Sequence, residues 1–170
     1  LCSAEEISSK TSIVVGFDKL SVEKEVSKIS IKAKTYEQKK QIGTADAVST
    51  VIDSINENEK VLILYGDVPL ISKNTLKDLC LLNDSISILT TNLIKPTGYG
   101  RVIKDAKSLV VEIIEEKDTN AEQKEIKEIF TGVMAINGKI LKELLPSINN
   151  KNASKEYYLT DLIGIAYSNR

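Results

Sequence analysis

Residues 60–70 read Lys-Val-Leu-Ile-Leu-Tyr-Gly-Asp-Val-Pro-Leu, an apolar run that stops abruptly at Gly66-Asp67. The consecutive apolar residues from Val61 to Leu64 suit a strand covered on both faces, as in a parallel sheet. Gly66 permits tight backbone geometry, and Pro69 cannot continue a hydrogen-bonded ladder. The pattern therefore sets Asp67 at the carboxyl end of a buried strand, where open α/β sheets bind their ligands. A carboxylate there suits a hard cation such as Mg²⁺ carrying substrate phosphates. On this segment alone, the same aspartate equally fits a loop residue that caps the following helix.

Three more polar clusters stand where regular patterns break. Gln38-Lys39-Lys40-Gln41-Ile42-Gly43-Thr44 leads into a helical pattern. Gly43 would let the backbone approach a ligand, and the free N–H groups of a helix start offer contacts to an anion or a base edge. Taken alone, the run is an ordinary Gly-Thr helix start. Thr97-Gly98-Tyr99-Gly100-Arg101 has glycines that could set backbone amides against a ligand, or simply make a turn. In Glu115-Glu116-Lys117-Asp118 a paired Glu and Lys could hold a sugar hydroxyl and a phosphate, although a solvated charge run is the commoner meaning of such a stretch.

The absence of histidine narrows the chemistry most. It removes Ser-His-Asp and Cys-His hydrolysis, His-ligated zinc and histidine acid–base catalysis. What remains is chemistry by carboxylates, lysines, backbone amides and a hard metal. A chain of 170 residues, 42% hydrophobic and 28% charged, is one domain with a full core and the composition of a soluble globular protein. A net charge of -1 with dispersed Lys and Arg gives no footprint for nucleic acid. No apolar run reaches the roughly 20 residues of a membrane span. Leu1-Cys2-Ser3-Ala4-Glu5-Glu6 is not the start of a signal peptide, and Cys2 with Cys80 makes neither a disulfide framework nor a zinc spacing. Cys80 lies in an apolar helical pattern and is expected in the core. The expected compartment is the cytoplasm.

The elements that must position these clusters alternate between strand and helix. Strands are predicted over 12–17, 29–33 (an edge strand), 61–65 (the central strand), 86–93, 101–103, 109–115 and 129–136. Helices are predicted over 21–28 with Ser21 as N-cap, 44–56 with Thr44 as N-cap, 72–82, 121–128, 139–145 closed by Pro146, and 160–168. Residues 96–100 form a turn between strands, and 149–154 a polar loop. Such alternation predicts an α/β fold, a mostly parallel three-layer sandwich.

Taken in order, the clusters resemble the sugar-1-phosphate nucleotidyltransferases, and most closely the N-acetylglucosamine-1-phosphate uridylyltransferase (pyrophosphorylase) domains of that family. The matching stretches are Gln41-Ile42-Gly43-Thr44, the run from Leu64 to Ser72, Pro96-Thr97-Gly98-Tyr99-Gly100-Arg101, Ile114-Glu115-Glu116-Lys117-Asp118 and Glu156-Tyr157-Tyr158-Leu159-Thr160-Asp161. The resemblance implies an α/β/α Rossmann-like nucleotide-diphospho-sugar transferase fold. It also implies Mg²⁺-dependent transfer of UMP from UTP to N-acetylglucosamine 1-phosphate, giving UDP-N-acetylglucosamine, a cell-wall amino-sugar precursor, and pyrophosphate. Residue by residue, it implies that Gln38, Gly43 and Thr44 hold the uracil and that Tyr65 and Gly66 line the nucleotide. Asp67 would ligate Mg²⁺, Gly100 and Glu115 would contact the N-acetylglucosamine, and Tyr158 and Thr160 would lie near the sugar.

The departures from the family pattern carry expectations of their own. The glycine-rich Leu-Ala-Ala-Gly-x-Gly-Thr-Arg-Met loop that binds the triphosphate has no counterpart in these residues. Residues 1–17 align with the family's second helix end and second strand, so the first βα unit is expected to be missing. A second metal ligand, an Asn, would fall beyond Arg170. Phe130 occupies the place of a sugar-facing Asn, and Ala45-Asp46 replaces a small residue and a His. Hexapeptide repeats of an acetyltransferase domain are absent. The chain is thus expected to be an incomplete nucleotidyltransferase domain, inactive alone, with a possible partner chain supplying the phosphate loop. The alternatives are a related transferase for another nucleotide or sugar, and a non-catalytic remnant that binds nucleotide-sugar.

Overall fold

The structure, a computed structural model, describes residues 1–170 apart from Ile31 and Pro69. Pro69, expected to stop the ladder, and Ile31, inside the edge strand predicted over 29–33, therefore lie outside the described residues. Among the described residues the helices are α1 (Cys2–Glu5), α2 (Lys19–Ile29), α3 (Thr44–Ser49), α4 (Lys73–Leu81), α5 (Ala121–Lys124), α6 (Gly138–Leu144) and α7 (Asp161–Ser168). The strands are β1 (Ser12–Val15), β2 (Lys34–Glu37), β3 (Lys60–Leu64), β4 (Ile86–Asn92), β5 (Arg101–Lys104), β6 (Val110–Ile114) and β7 (Glu128–Asn137).

The apolar spacing explains how these elements stack. Along β3, Val61, Ile63 and Tyr65 point to one face of the sheet and Leu62 and Leu64 to the other, as the period of a strand demands. On the first face they meet Phe130, Met134 and Ile136 of β7, Ala45 and Val48 of α3, Leu141 of α6 and Leu162 of α7. On the second face Val133 and Ala135 of β7 pack with Leu76 and Leu79 of α4. Helices thus cover both faces, which is the α/β/α layering expected from sequence.

Strand direction is more varied than the sequence suggests. β1 and β2 pair in parallel, with α2 as the crossover that parallel neighbours require. In the other sheet β7 is the hub, pairing antiparallel with β3, β4 and β5, while β5 and β6 form an antiparallel hairpin. The parallel relation of β3 and β4 is therefore indirect, because β7 runs between them. The strand expected to be central, β3, pairs only with β7 among the described residues.

Several boundaries also shift. The predicted edge strand over 29–33 begins as the end of α2, and the strand itself is β2, whose residues pair with β1. Asp18, not Ser21, precedes the first turn of α2. The helix predicted over 44–56 ends at Ser49 and gives way to a 3₁₀ turn, Ile52–Ser54. Gly43 is the residue preceding α3, and Thr44 is its first helical residue. The charged helix over 121–128 is a short turn held by an Asn120–Gln123 capping box, after which β7 begins. Cys80 is half-buried against the α4 side of the core.

Candidate functional site

The place where β7 changes partners organises the site. Val133 to Asn137 pair with β3, whereas Ile129 pairs with Arg101 of β5. Between them the register against β4 slips, so that Ile88 faces Met134 while Thr90 faces Phe130. Thr131, Gly132 and Val133 of β7 thus stand against the single Leu89 of β4, a bulge of two extra residues in β7. Gly132 has φ +82, and a Cβ on it would sit 2.9 Å from the Tyr65 ring. The Tyr65 amide donates to the Gly132 carbonyl at 3.0 Å, and the Phe130 amide donates to the Gly100 carbonyl at 3.0 Å. The end of β3 and the start of β5 therefore diverge around one bulge, bringing Tyr65-Gly66-Asp67 and Gly100-Arg101 to the same end of the sheet. Neither the bulge nor Gly132 was recognised from sequence as functional, although a glycine inside a strand pattern is the signal that marks such a feature.

A second junction joins the start of α3 to the segment before α7. The Tyr157 amide donates to the Ile42 carbonyl at 2.8 Å, and the Ala45 amide donates to the Tyr157 carbonyl at 2.9 Å. The Thr44 hydroxyl accepts from the Leu159 amide at 2.8 Å. Gly43 lies at φ +131, and a Cβ there would fall 2.3 Å from the Tyr157 carbonyl oxygen. The close approach that Gly43 allows is thus made by the chain's own Tyr157 backbone. Gln38 donates to the Gly43 carbonyl at 3.0 Å and to the Asp46 carboxylate at 2.9 Å. Its side-chain nitrogen is spent on bracing this junction, and its side-chain oxygen has no partner among the described residues. Tyr158, half-buried in the same segment, has its phenol pKa raised, by burial first and then by Asp118, Glu156 and Glu115, against the Ser154 hydroxyl.

The two junctions meet at Glu115. Thr160, 1% exposed, donates its hydroxyl to the Glu115 carboxylate at 2.9 Å. Burial, with Asp118 and Glu156 adding to it, raises the Glu115 pKa above its ordinary value, and the Thr160 bond partly offsets this. A Cβ on Gly100 would lie 3.6 Å from both carboxylate oxygens, so the glycine leaves that face of Glu115 uncovered. Tyr65 has its pKa pushed up to about 12, mainly by burial, with the charges of Glu115 and Asp67 adding to the shift against the Thr44 hydroxyl. Its ring stands edge-on to Phe130, 5.9 Å between centroids and 85° between planes. Phe130 is 5% exposed and packed in the core, so the sugar-facing position implied by the family alignment is corrected: the ring supports Tyr65 from within.

Asp67 and Gly66 are both exposed at the end of β3. No side-chain hydrogen bond or ion pair engages Asp67 among the described residues, and the N-cap of α4 is Ser72, whose hydroxyl accepts from the Thr75 amide at 3.1 Å. The helix-capping alternative for Asp67 therefore fails. Gly66 has no positive φ, and a Cβ on it would meet nothing within 4 Å. The tight geometry expected of it is not needed by the chain itself, and its bare face is open to a ligand. No group of three or more His, Cys, Asp or Glu converges into a metal cage among the described residues. A lone free carboxylate still fits Mg²⁺, which takes one or two carboxylates and fills its shell with water and substrate phosphate oxygens.

Arg101 and Asp161 stand inside the family-like motifs, but nothing local in those motifs marks a role for either. Arg101 is 1% exposed, with one guanidinium nitrogen on the Glu116 carboxylate at 2.5 Å and another on the Tyr99 carbonyl. It clamps the 96–100 turn, which presents Gly100, to the turn that follows Glu115. Asp161 opens α7, and burial together with Glu112, Glu115 and Asp118 pushes its pKa to about 6. No helix among the described residues is long and apolar enough to cross a membrane.

Known proteins share both the sequence and the fold. The chain is 46% identical over 132 residues to the bifunctional protein GlmU of Idiomarina loihiensis and 45% identical over 132 residues to that of Methylococcus capsulatus. These matches take in 76% of this chain and 29% of each relative, so the chain spans under a third of their length. Its fold is similar to that of UDP-glucose pyrophosphorylase complexed with UDP-glucose, with a TM-score of 0.73 at 16% identity over 99% of this chain and 73% of the other. The apo form of a UDP-glucose pyrophosphorylase gives 0.66 at 16% identity, over 94% and 70%. A family model described as nucleotidyl transferase matches residues 2–169, nearly every position discussed above. The chain belongs to the nucleotidyl transferase family.

Proposed function

We propose that the chain is a nucleotidyltransferase domain whose site handles a uridine nucleotide and N-acetylglucosamine 1-phosphate, joining UMP to the sugar phosphate with release of pyrophosphate. The observation that carries this reading is the Glu115 carboxylate. One of its oxygens is held by Thr160, the other has no partner among the described residues, and Gly100 leaves it uncovered. Such an oxygen accepts from a sugar hydroxyl, and burial strengthens that bond relative to water. Thr44 and Tyr65 form the neighbouring wall on the nucleotide side, with Gln38 and Gly43 on the uracil and Tyr158 near the sugar.

The sugar-phosphate oxygen attacks the α-phosphorus of UTP and pyrophosphate leaves, without a covalent enzyme intermediate. Catalysis of that kind is positioning and charge neutralisation, which a chain without histidine can perform. Asp67 would hold Mg²⁺ against the phosphates, and the ion would offset their negative charge. The residues here hold sugar and nucleoside, while the 170-residue sequence contains no glycine-rich triphosphate loop. Pyrophosphate release by this chain alone is therefore expected to be negligible unless a flanking segment or partner chain supplies that loop.

Calorimetric titration with UDP-N-acetylglucosamine, UDP-glucose and UDP, with Mg²⁺ present, tests the reading. The N-acetylglucosamine form should bind tightest, and Asp67→Asn should weaken nucleotide binding about tenfold, a loss of roughly 1.4 kcal/mol, with unchanged thermal stability. A preference for UDP-glucose would reassign the sugar. Equal nucleotide affinity for wild type and Asp67→Asn would remove Asp67 from the metal role.

A further inference from the structure

Beside the Arg101 clamp lies a cleft of about 280 Å³ between the loop after β4 and the end of α5. Its charged lining is uneven, with Lys95, Lys124, Lys127 and Arg101 facing only Glu116 and Glu125. Glu116 is committed to Arg101 at 2.5 Å, and Glu125 reaches Lys127 only at 3.8 Å, with most of its side chain in solvent. Lys95 and Lys124 have no carboxylate partner among the described residues. Arg101 carries a further mark. Both terminal nitrogens are bonded, yet its Nε is fully buried with no hydrogen-bond partner. The Nε is closed off from the cleft, but the charge of an incompletely satisfied buried cation still favours an anion nearby.

Three lysines from two segments line this cleft together with a buried guanidinium, a set of charges that suits a compact anion carrying more than one negative charge. Phosphate fits that description because its oxygens are shared among several donors, and Arg and Lys are its usual partners. We propose that this cleft binds a small phosphate-bearing anion, either free phosphate or the phosphate group of a sugar phosphate, through Lys95, Lys124 and Lys127 beside Arg101. The inference does not depend on the transferase reading, although Arg101 and Glu116 directly follow Gly100 and Glu115 in the chain.

The test is a nuclear magnetic resonance titration of the 170-residue protein with inorganic phosphate, chloride being adjusted to hold ionic strength constant. Saturating shifts are expected at the amides of Lys95, Thr97, Lys124 and Lys127. Lys95→Ala combined with Lys124→Ala should weaken binding at least tenfold, while Lys24→Ala with Lys28→Ala on α2 should leave it unchanged. All four lysines are exposed, so the variants are expected to fold. A parallel titration with glucose 6-phosphate separates the sources: tighter binding than inorganic phosphate assigns the cleft to sugar phosphates, and equal binding assigns it to the free ion. Shifts that fail to saturate, or that both double variants lose equally, would overturn the proposal in favour of general charge attraction.

Discussion

The hydroxyl of Thr160 and the carboxylate of Glu115 lie 2.9 Å apart, joining the residue before α7 to the residue after β6. Along the chain the two residues are separated by α5, β7, α6 and the segment that leads into α7. The bond uses one Glu115 oxygen and holds the other toward the space beside Gly100. Thr160→Val keeps the shape and removes the donor, so folding stability should fall by about 1 kcal/mol. The Glu115 pKa should rise further, because the hydroxyl favours the charged form. Denaturant unfolding and an NMR titration of Glu115 measure the two effects. A Glu115 pKa that does not move would show that the bond is absent in solution.

Gly43 and Gly66 should respond in opposite ways to the same small change. Gly43→Ala forces a side chain into φ +131 and against the Tyr157 backbone. Strain of that kind costs on the order of 1–3 kcal/mol before any clash is counted, and the junction carrying Tyr158 and Thr160 should loosen. Gly66→Ala meets nothing within 4 Å, so its melting temperature should match wild type while nucleotide binding weakens. Melting curves and calorimetry on both variants decide the matter. Two equally destabilised proteins would contradict the assignment of Gly66 to the ligand face.

Phe130 is expected to behave as a core residue. Its ring packs with Tyr65 and the first-face cluster at 5% exposure. Phe130→Asn would leave a cavity and bury an amide without partners, costing roughly 3–5 kcal/mol or more. Any loss of UDP-sugar binding should then track unfolding. If Phe130→Asn instead stays folded and gains affinity for UDP-N-acetylglucosamine over UDP, the ring belongs to the sugar pocket after all.

Asp161 should make the protein less stable as pH rises. Its folded pKa, pushed to about 6, lies above the ordinary 3.8, so the fold favours the neutral acid. That contribution is fully present below the unfolded value and is lost as pH climbs through the folded one. Asp161→Asn removes the penalty of the charged form. The variant should melt roughly 2–4 °C higher than wild type at pH 7.5 if the gain is near 1 kcal/mol, and the gap should close toward pH 4. A difference independent of pH would assign the effect to packing instead.

Much of the architecture was legible because it rests on local rules. The apolar run ending at Asp67, the helix beginning at Ser72, the strands predicted over 101–103 and 109–115 and the apolar periods of α7 are each written within a few residues. The same holds for the family, whose motifs are contiguous. Strand direction was not legible, because a buried strand shows the same apolar run whether its neighbour is parallel or antiparallel. Only tertiary pairing made β7 the antiparallel hub and opened its bulge at Gly132. Likewise Gly43 gives no local sign that the Tyr157 backbone presses on it, nor Phe130 that it supports Tyr65, because the partner in each case lies far along the chain. Sequence determined which residues stand in the family's motifs and which are apolar. The tertiary structure alone decided which of them touch, since burial, positive φ and shared carboxylates are properties of the packed neighbours.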